Sequence, residues 1–239
     1  MKIFWAVLIA LFPVLVSAQT VASPGALPSR ARMAYEKLQL LIARHPKPEL
    51  RTEIEKRLKS CELLIRLTGE TKQSPITTST YRFNQPVTGY GEYVPVMLLT
   101  DWFLLSDKFT DRVRMTGLWH EFQHLRRMWE WGPPKYKHFT DLTPSKKVTK
   151  EYVKHVYLME LEGHFAQAKF GREIGIRVED PSAPKEEKIE PFLSYGTGDF
   201  IGVQQLRLYV AAEVLEQEGY AEYKEYLLGL ALDPSIKIP

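Results

Sequence analysis

Apolar side chains recur at every third or fourth position through much of the chain, and this spacing predicts amphipathic helices. The predicted helices cover about residues 30–44, 49–67, 110–131, 149–170 and 200–217, and a shorter one reaches 228. Residues 76–83 are rich in Thr and Tyr, and an apolar run at 93–105 follows a Gly-Tyr-Gly turn, which predicts a β-hairpin. Pro95 cannot donate a ladder hydrogen bond, so it is expected on an edge strand or at a strand start. The pattern predicts an α+β fold, mostly helical, with a small β-sheet or hairpin before the helix at 110–131.

The amino terminus has a different pattern. Lys2 precedes an apolar run of 14 residues, 3–16, and small residues follow it. This arrangement predicts a signal peptide over residues 1–18, whereas the alternative, an uncleaved membrane anchor, would need about 20 apolar residues. Residues 19–29 are expected to form a flexible lead-in, and 30–239 a single domain that begins with a helical hairpin. We therefore expect an exported protein, periplasmic or extracellular, with no stable membrane insertion after cleavage.

Charge and cysteine content narrow the classes of partner. The formal net charge is +3, and the 32 basic and 29 acidic residues are interspersed. This distribution lacks the basic patch of nucleic-acid-binding proteins, so no nucleic-acid partner is expected. The one cysteine, Cys61, cannot form an internal disulfide. Because it lies at helical spacing from Ile54, Leu58 and Ile65, we expect a buried thiol in the core.

The most informative stretch is His120-Glu121-Phe122-Gln123-His124, inside the predicted helix 110–131. Four residues make slightly more than one helical turn, so both imidazoles project from the same face and can converge on one ion. Glu121 lies beside them, where a carboxylate can accept a proton from water. The alternative is an amphipathic helix whose two histidines are paired with each other or face solvent.

Residues 117–125 resemble the active-site helix of the zincin metallopeptidases. The metzincin branch of that family extends the motif with a Gly and a third His, but this chain has Arg127 and Glu130 at those positions. The resemblance therefore implies a zinc-dependent hydrolase of another zincin branch. It also implies that the strand before this helix binds the backbone of an extended substrate, although a hairpin that only covers the core is an equal alternative.

A zinc site with an open position for water needs a third protein ligand. Glu160, in the predicted helix 149–170, resembles the third ligand of the gluzincin branch, and Gly163 occupies the small position that follows it in that branch. His164 stands where the branch often has an Asp bound to a ligand histidine. Glu162 is the rival carboxylate, but it points about 200° away around the helix. Asp199 follows a Gly-Thr pair like that of the aspzincins, with a spacing one residue short, and more simply caps the next helix.

The resemblance implies a secreted zinc metallopeptidase that acts on a peptide or protein substrate. In this interpretation Zn²⁺ is the cofactor and Glu121 is the catalytic base. The implied ligands are His120, His124 and Glu160, and the residues considered for an outer-shell or oxyanion contact are His164 and Tyr157. Two alternatives remain open: a non-catalytic envelope protein that keeps a zincin scaffold for metal or partner binding, and a helical interaction module without metal.

Overall fold

The computed structural model describes residues 7–9, 29–68, 76–87, 91–131, 149–176, 200–216 and 220–238. The strands are β1 (Val7–Ile9), β2 (Leu64–Thr68), β3 (Ile76–Val87) and β4 (Gly91–Thr100). The helices are α1 (Ser29–Ala43), α2 (Pro48–Lys59), α3 (Asp101–Leu105), α4 (Asp111–Trp131), α5 (Lys150–Glu173), α6 (Phe200–Glu216) and α7 (Lys224–Leu232), with a 3₁₀ turn at Ala221–Tyr223. The described residues are mostly helical and include a small sheet, so the predicted α+β class is confirmed.

The sheet has the strand order β1-β2-β4-β3. The predicted hairpin is present, because β3 and β4 pair antiparallel, with Thr80 opposite Pro95. β2 joins β4 as a parallel partner, with Leu64 opposite Val96. β4 is therefore an interior strand from Val96 onward. Pro95 lies just before that stretch and, among the described residues, has a strand partner on the β3 side only, so the edge position predicted for Pro95 itself is confirmed.

The predicted helix at 49–67 is wrong in its second half. α2 ends at Lys59, and Cys61 adopts a left-handed φ of 58°, which turns the chain out of the helix. Beyond the turn, Leu63, Ile65 and Leu67 are buried and alternate with half-buried residues, which is the period of a strand. Cys61 is consequently half-buried at a helix end, and the expectation of a core thiol is wrong.

The predicted second strand is also shorter than expected, because β4 ends at Thr100. The hydroxyl oxygen of Thr100 accepts a hydrogen bond of 3.0 Å from the Phe103 amide, which caps α3. The start of α4 matches its prediction, since Thr110 accepts from the Val113 amide at 3.3 Å. α5 likewise begins after Thr149, whose hydroxyl accepts from the Tyr152 amide at 3.2 Å.

Two apolar clusters form the core. The first lies among α1, α2, the sheet and α4, and includes Leu41, Leu50, Met97, Leu99 and Phe122. The second lies among α5, α6 and α7, and includes Val153, Tyr157, Leu206, Val210 and Leu227. α4 packs against α5 along the boundary between these clusters. α4, which carries His120 and His124, thus packs in the first cluster and faces α5, which packs in the second.

Two predictions concern parts of the chain that are only partly described. Within the predicted signal peptide, residues 7–9 form β1, and the other leader residues and most of the lead-in at 19–29 lie outside the described residues. Asp199 also lies outside them. Among the helices that the structure does describe, none combines the length and apolarity needed to cross a membrane.

Candidate metal centre

His120 and His124 lie on the face of α4 that packs against α5. Both are buried, with 7% and 5% of their surface exposed. Their Nε2 atoms are 2.9 Å apart and their rings are nearly perpendicular, with centroids separated by 4.6 Å. The i, i+4 spacing in an α-helix therefore aims one nitrogen of each ring at the same point, as the motif predicts.

Glu160 approaches the same point from α5. Its Oε2 lies 3.3 Å from Nε2 of His120 and 3.4 Å from Nε2 of His124. Zinc bonds of about 2.0–2.1 Å at tetrahedral angles separate the donor atoms by about 3.3 Å. The two separations that involve Glu160 match this spacing, and the 2.9 Å between the histidine nitrogens is shorter. The donor types and their convergence on one point fit the ion. Their role as metal ligands stays a prediction.

Gly163 explains how α5 comes this close to the histidines. A Cβ atom at this position would lie 2.8 Å from Nε2 of His120 and 3.0 Å from Cε1 of His124. Both distances are too short for a carbon contact, so a larger residue would have to push the rings or the helices apart. The absence of a side chain at Gly163 is what lets Glu160, one turn earlier, reach the two rings.

Gln167 fixes the orientation of His120. The Nδ1 atom of His120 donates to Oε1 of Gln167 over 3.1 Å, and Gln167 is itself buried. With its proton on Nδ1, His120 presents a lone pair on Nε2, which is the tautomer that a metal ligand requires. Sequence reasoning missed this residue. The available pattern was the polar series Glu160, His164 and Gln167, spaced i, i+4, i+7 along one face of α5.

His164 connects the cluster to α6. Its ring lies against His120, with centroids 4.4 Å apart and planes at 73°, and its Nε2 is 2.6 Å from Oε2 of Glu213. One donor atom from each of His120, Glu160 and His164 lies within 4.8 Å of the other two. Glu213 was also missed: the apolar series Leu206, Val210 and Val214 indicates the inward face of α6, but not that the neighbouring Glu213 reaches His164 of α5.

Glu121 is positioned beside the two motif histidines. It is buried, with 7% of its surface exposed. One carboxylate oxygen of Glu121 and one nitrogen of each histidine lie within 4.8 Å of one another. These three side chains are also a possible donor group for a metal ion, and the role of Glu121 as a base stays a prediction.

The electrostatics of the cluster favour positive charge at its centre. Burial lowers the pKa of His120, and the neighbouring His164 adds to this effect. Burial also opposes a proton on His124, but the Glu160 carboxylate outweighs it and raises the pKa of His124 to about 9. Burial disfavours charge on Glu160 as well, yet its contacts with His124 and His120 hold the pKa of Glu160 well below its usual range. Glu160 therefore stays ionised and attracts a cation.

Glu162, the alternative third ligand, and Tyr157, considered for an oxyanion contact, make their contacts with other residues. Glu162 forms an ion pair with Arg127 of α4, with Nε and Oε2 separated by 2.5 Å. Tyr157 is fully buried in the second apolar cluster, and its hydroxyl donates to the Arg207 carbonyl over 3.5 Å. Burial raises the pKa of Tyr157 to about 12. Because this hydroxyl faces α6, an oxyanion contact from Tyr157 has no support in the geometry.

Comparisons of the chain with protein-family models, with curated proteins and with solved structures give no match. The functional assignment therefore depends on the chemistry and geometry of the cluster itself.

Proposed function

We propose that this chain is an exported zinc-dependent metallopeptidase, in which His120, His124 and Glu160 hold the ion and Glu121 is the general base. The observation that carries the proposal is the meeting of three donors from two helices at separations of 2.9, 3.3 and 3.4 Å. Two neutral imidazoles and one carboxylate are a donor set typical of catalytic zinc. The likeness of residues 117–125 and 160–163 to the gluzincin branch gives the proposal its reaction class.

When bound, the zinc ion would supply Lewis acidity that polarises a carbonyl and lowers the pKa of water. The chain's own residues supply the rest. Glu121 takes a proton from the attacking water and returns it to the leaving amine. Gln167 keeps Nδ1 of His120 protonated, so that its Nε2 remains a donor. Burial of the cluster strengthens each of these interactions, because less water screens them.

A peptide substrate is favoured over a small ester or amide by the position of β3. Among the described strands, β3 is an edge strand, because it pairs only with β4, and it lies in contact with α4. An extended peptide can add to such an edge through main-chain hydrogen bonds, which are independent of side-chain identity. The proposed substrate class is therefore an extended segment of a peptide or protein.

The test compares the wild-type chain with Glu121→Gln, using labelled casein and a peptide mixture read by mass spectrometry. Loss of the general base should lower the hydrolysis rate by about 10²–10⁴-fold. The zinc content, measured by elemental analysis, should stay the same because Glu121 is not one of the three donors. Glu151→Gln, a change at an exposed site on α5, is the matched control and should keep the wild-type rate. Equal rates in the wild type and Glu121→Gln would reject the peptidase.

The second candidate is a non-catalytic protein that binds the metal as a structural staple. The observation that favours it is His164, which offers a further nitrogen near His120 and Glu160. Structural zinc sites have four protein ligands, whereas catalytic sites leave one position open. In this case the wild type binds zinc stoichiometrically, has no hydrolytic rate on any peptide, and loses thermal stability when a chelator removes the ion.

Export is the second part of the proposal, and the leader pattern at residues 1–18 supports it. Expression of the whole chain in a bacterial host, followed by fractionation and amino-terminal sequencing, tests it. A periplasmic product that begins at Gln19 is the expected result. An uncleaved product that stays with the membrane or in the cytoplasm would reject it.

A further inference from the structure

His164 is the residue of the cluster whose role the proposed mechanism does not use. It is buried, with 6% of its surface exposed, and it lies one turn after Glu160 on the same face of α5. The ring packs edge-on against His120, at 4.4 Å between centroids. A donor atom of His164 lies within 4.8 Å of donor atoms of both His120 and Glu160. Packing alone does not require an imidazole at this position.

The contact with Glu213 determines which nitrogen of His164 carries the proton. Nε2 and Oε2 of Glu213 are 2.6 Å apart, and a carboxylate oxygen accepts, so Nε2 carries the proton and donates it. In the neutral ring Nδ1 then has the lone pair, and this nitrogen is buried. A nitrogen with a lone pair cannot donate to an oxyanion, but it can bind a cation. A carboxylate on the far nitrogen is also the usual outer partner of a metal-bound histidine.

The same arrangement recurs at His120, where Gln167 accepts from Nδ1 and leaves Nε2 as the donor. His120 and His164 thus each have an outer partner that holds the ring in a metal-binding tautomer. The partners come from different helices, Gln167 from α5 and Glu213 from α6. Two helices, α4 and α5, therefore contribute the nitrogen and oxygen donors, and α6 contributes Glu213 as an outer partner.

We propose that His164 is a fourth protein ligand of the same ion, through Nδ1, and that Glu213 is the positioning residue that keeps it in the binding tautomer. This inference rests on the proposed metal centre and adds a regulatory property to it. With His164 bound, the ion has four protein ligands, which is the closed arrangement of structural sites. Hydrolysis then requires His164 to leave the ion, or the ion to accept a fifth ligand.

The test measures metal binding rather than hydrolysis. Zinc affinity is determined by competition with a chromophoric chelator for the wild type, His164→Ala and Glu213→Leu. The visible spectrum of the cobalt-substituted proteins reports the number and geometry of ligands. His155→Ala removes an exposed histidine from the same helix and is the matched control for the first variant. Glu225→Leu, at an exposed position of α7, is the control for the second.

We expect one zinc per chain in the wild type and in both variants. Loss of an outer partner typically lowers metal affinity by about 10–100-fold. His164→Ala removes a ligand, so it should weaken zinc binding by at least this factor and should change the cobalt spectrum. Glu213→Leu, which cannot accept from Nε2, should weaken binding within that range and leave the spectrum close to that of the wild type, because the imidazole is still present. The two control variants should match the wild type in both measurements.

Circular dichroism of each metal-free protein shows whether the variants fold. If His164→Ala does not fold, Glu213→Leu decides the question, since it keeps the imidazole and removes only the group that accepts from it. Wild-type zinc affinity in Glu213→Leu and in any folded His164 variant, with an unchanged cobalt spectrum, would overturn the inference. So would two ions per chain in the wild type and one in His164→Ala, because His164 would then serve a separate ion.

The inference and the proposed function fail in different ways. A wild type that hydrolyses peptides but whose zinc affinity does not depend on His164 overturns the fourth ligand alone. A wild type that binds zinc through His164 but has no hydrolytic rate overturns the peptidase alone. A wild type that binds no zinc overturns both.

Discussion

His120 on α4 and Gln167 on α5 are joined by a hydrogen bond of 3.1 Å between Nδ1 and Oε1. This bond crosses the helix pair that carries the candidate centre, and it decides which nitrogen of His120 faces His124 and Glu160. In many metal sites a carboxylate occupies the place that the Gln167 amide has here. A neutral amide fixes the orientation of the ring without adding a second negative charge to the cluster.

Substitution of Gln167 should therefore affect metal binding more than folding. Gln167→Leu fills a similar volume but cannot accept from Nδ1, and we expect zinc affinity to fall by about 10–100-fold. Gln167→Glu restores an acceptor with a full charge and should bind zinc at least as tightly as the wild type. Chelator competition measures both effects.

Gln205→Leu is a suitable control for these variants, because Gln205 is exposed on α6. Its zinc affinity should be unchanged. If Gln167→Leu retained wild-type affinity while folding normally, the hydrogen bond to His120 would have no part in metal binding.

Gly163→Ala tests the close approach of α5 to α4. The new Cβ would lie 2.8 Å from Nε2 of His120, so the rings or the helices must move. Overpacking of this kind costs about 1–3 kcal/mol, which exceeds the gain of up to about 1 kcal/mol from replacing Gly by Ala within a helix. Chemical denaturation of the metal-free protein should show net destabilisation, and zinc affinity should fall because Nε2 of His120 is displaced.

Gly229→Ala is the matched control, since Gly229 lies on α7 and a Cβ added there would meet no atom within 4 Å. It should stabilise the protein by about 0.5–1 kcal/mol, through helix propensity alone, and leave zinc affinity unchanged. Equal effects of the two substitutions would show that Gly163 is not a contact point between the helices.

Features formed by residues within one helix were predicted correctly from the sequence. The convergence of His120 and His124 follows from helix geometry, and the caps at Thr110 and Thr149 follow from residues within one turn. The convergence and the caps were predictable because the atoms involved belong to one helix. Glu160 and Glu162 both contact α4, so their positions on α5 alone did not determine which of them reaches the histidines.

Partners from distant parts of the chain were not predictable in this way. Glu213 reaches His164 across 49 positions, and Gln167 reaches His120 across 47. β2 was mistaken for a helix because Leu58, Cys61 and Ile65 have helical spacing, while its strand pairing depends on β4. A single sequence shows which face of an element is polar, but not which residue of another element packs against it.

His45 gives the fold a dependence on pH that is separate from the metal centre. Its ring is buried and stacks against both Trp119 and Phe170, which also contact each other. Nε2 donates to the Met115 carbonyl at 3.1 Å, and Nδ1 accepts from the Lys47 amide at 3.2 Å. Burial lowers the pKa of His45, and the contacts with Met115 and Lys47 only partly offset this effect. The folded protein therefore holds His45 neutral.

The sign of the effect on stability follows from this shift. A histidine whose pKa is lower in the folded state binds its proton more readily when unfolded, so the contribution of His45 is complete above about pH 6.5 and is lost as the pH falls toward the folded pKa. We expect the free energy of unfolding to decrease from pH 7.5 to pH 5.5 by a smaller amount in His45→Gln than in the wild type. Urea denaturation of the zinc-free proteins at both pH values measures the difference. His155→Gln, at an exposed position, should follow the wild type.

Glu160 and Glu162 provide the most direct test of the centre, because they differ by two positions on one helix and contact different residues of α4. Glu160 lies 3.3 and 3.4 Å from the two histidine nitrogens, and Glu162 pairs with Arg127. Glu160→Gln removes the negative ligand. Zinc affinity should therefore fall by more than the loss of an outer partner would cause, which is about 10–100-fold. Glu162→Gln should leave zinc affinity unchanged and cost about 0–1 kcal/mol of stability, the usual value of a partly exposed ion pair. Chelator competition and urea denaturation of both variants distinguish the two residues, and a loss of zinc in Glu162→Gln with retention in Glu160→Gln would assign the third ligand to Glu162.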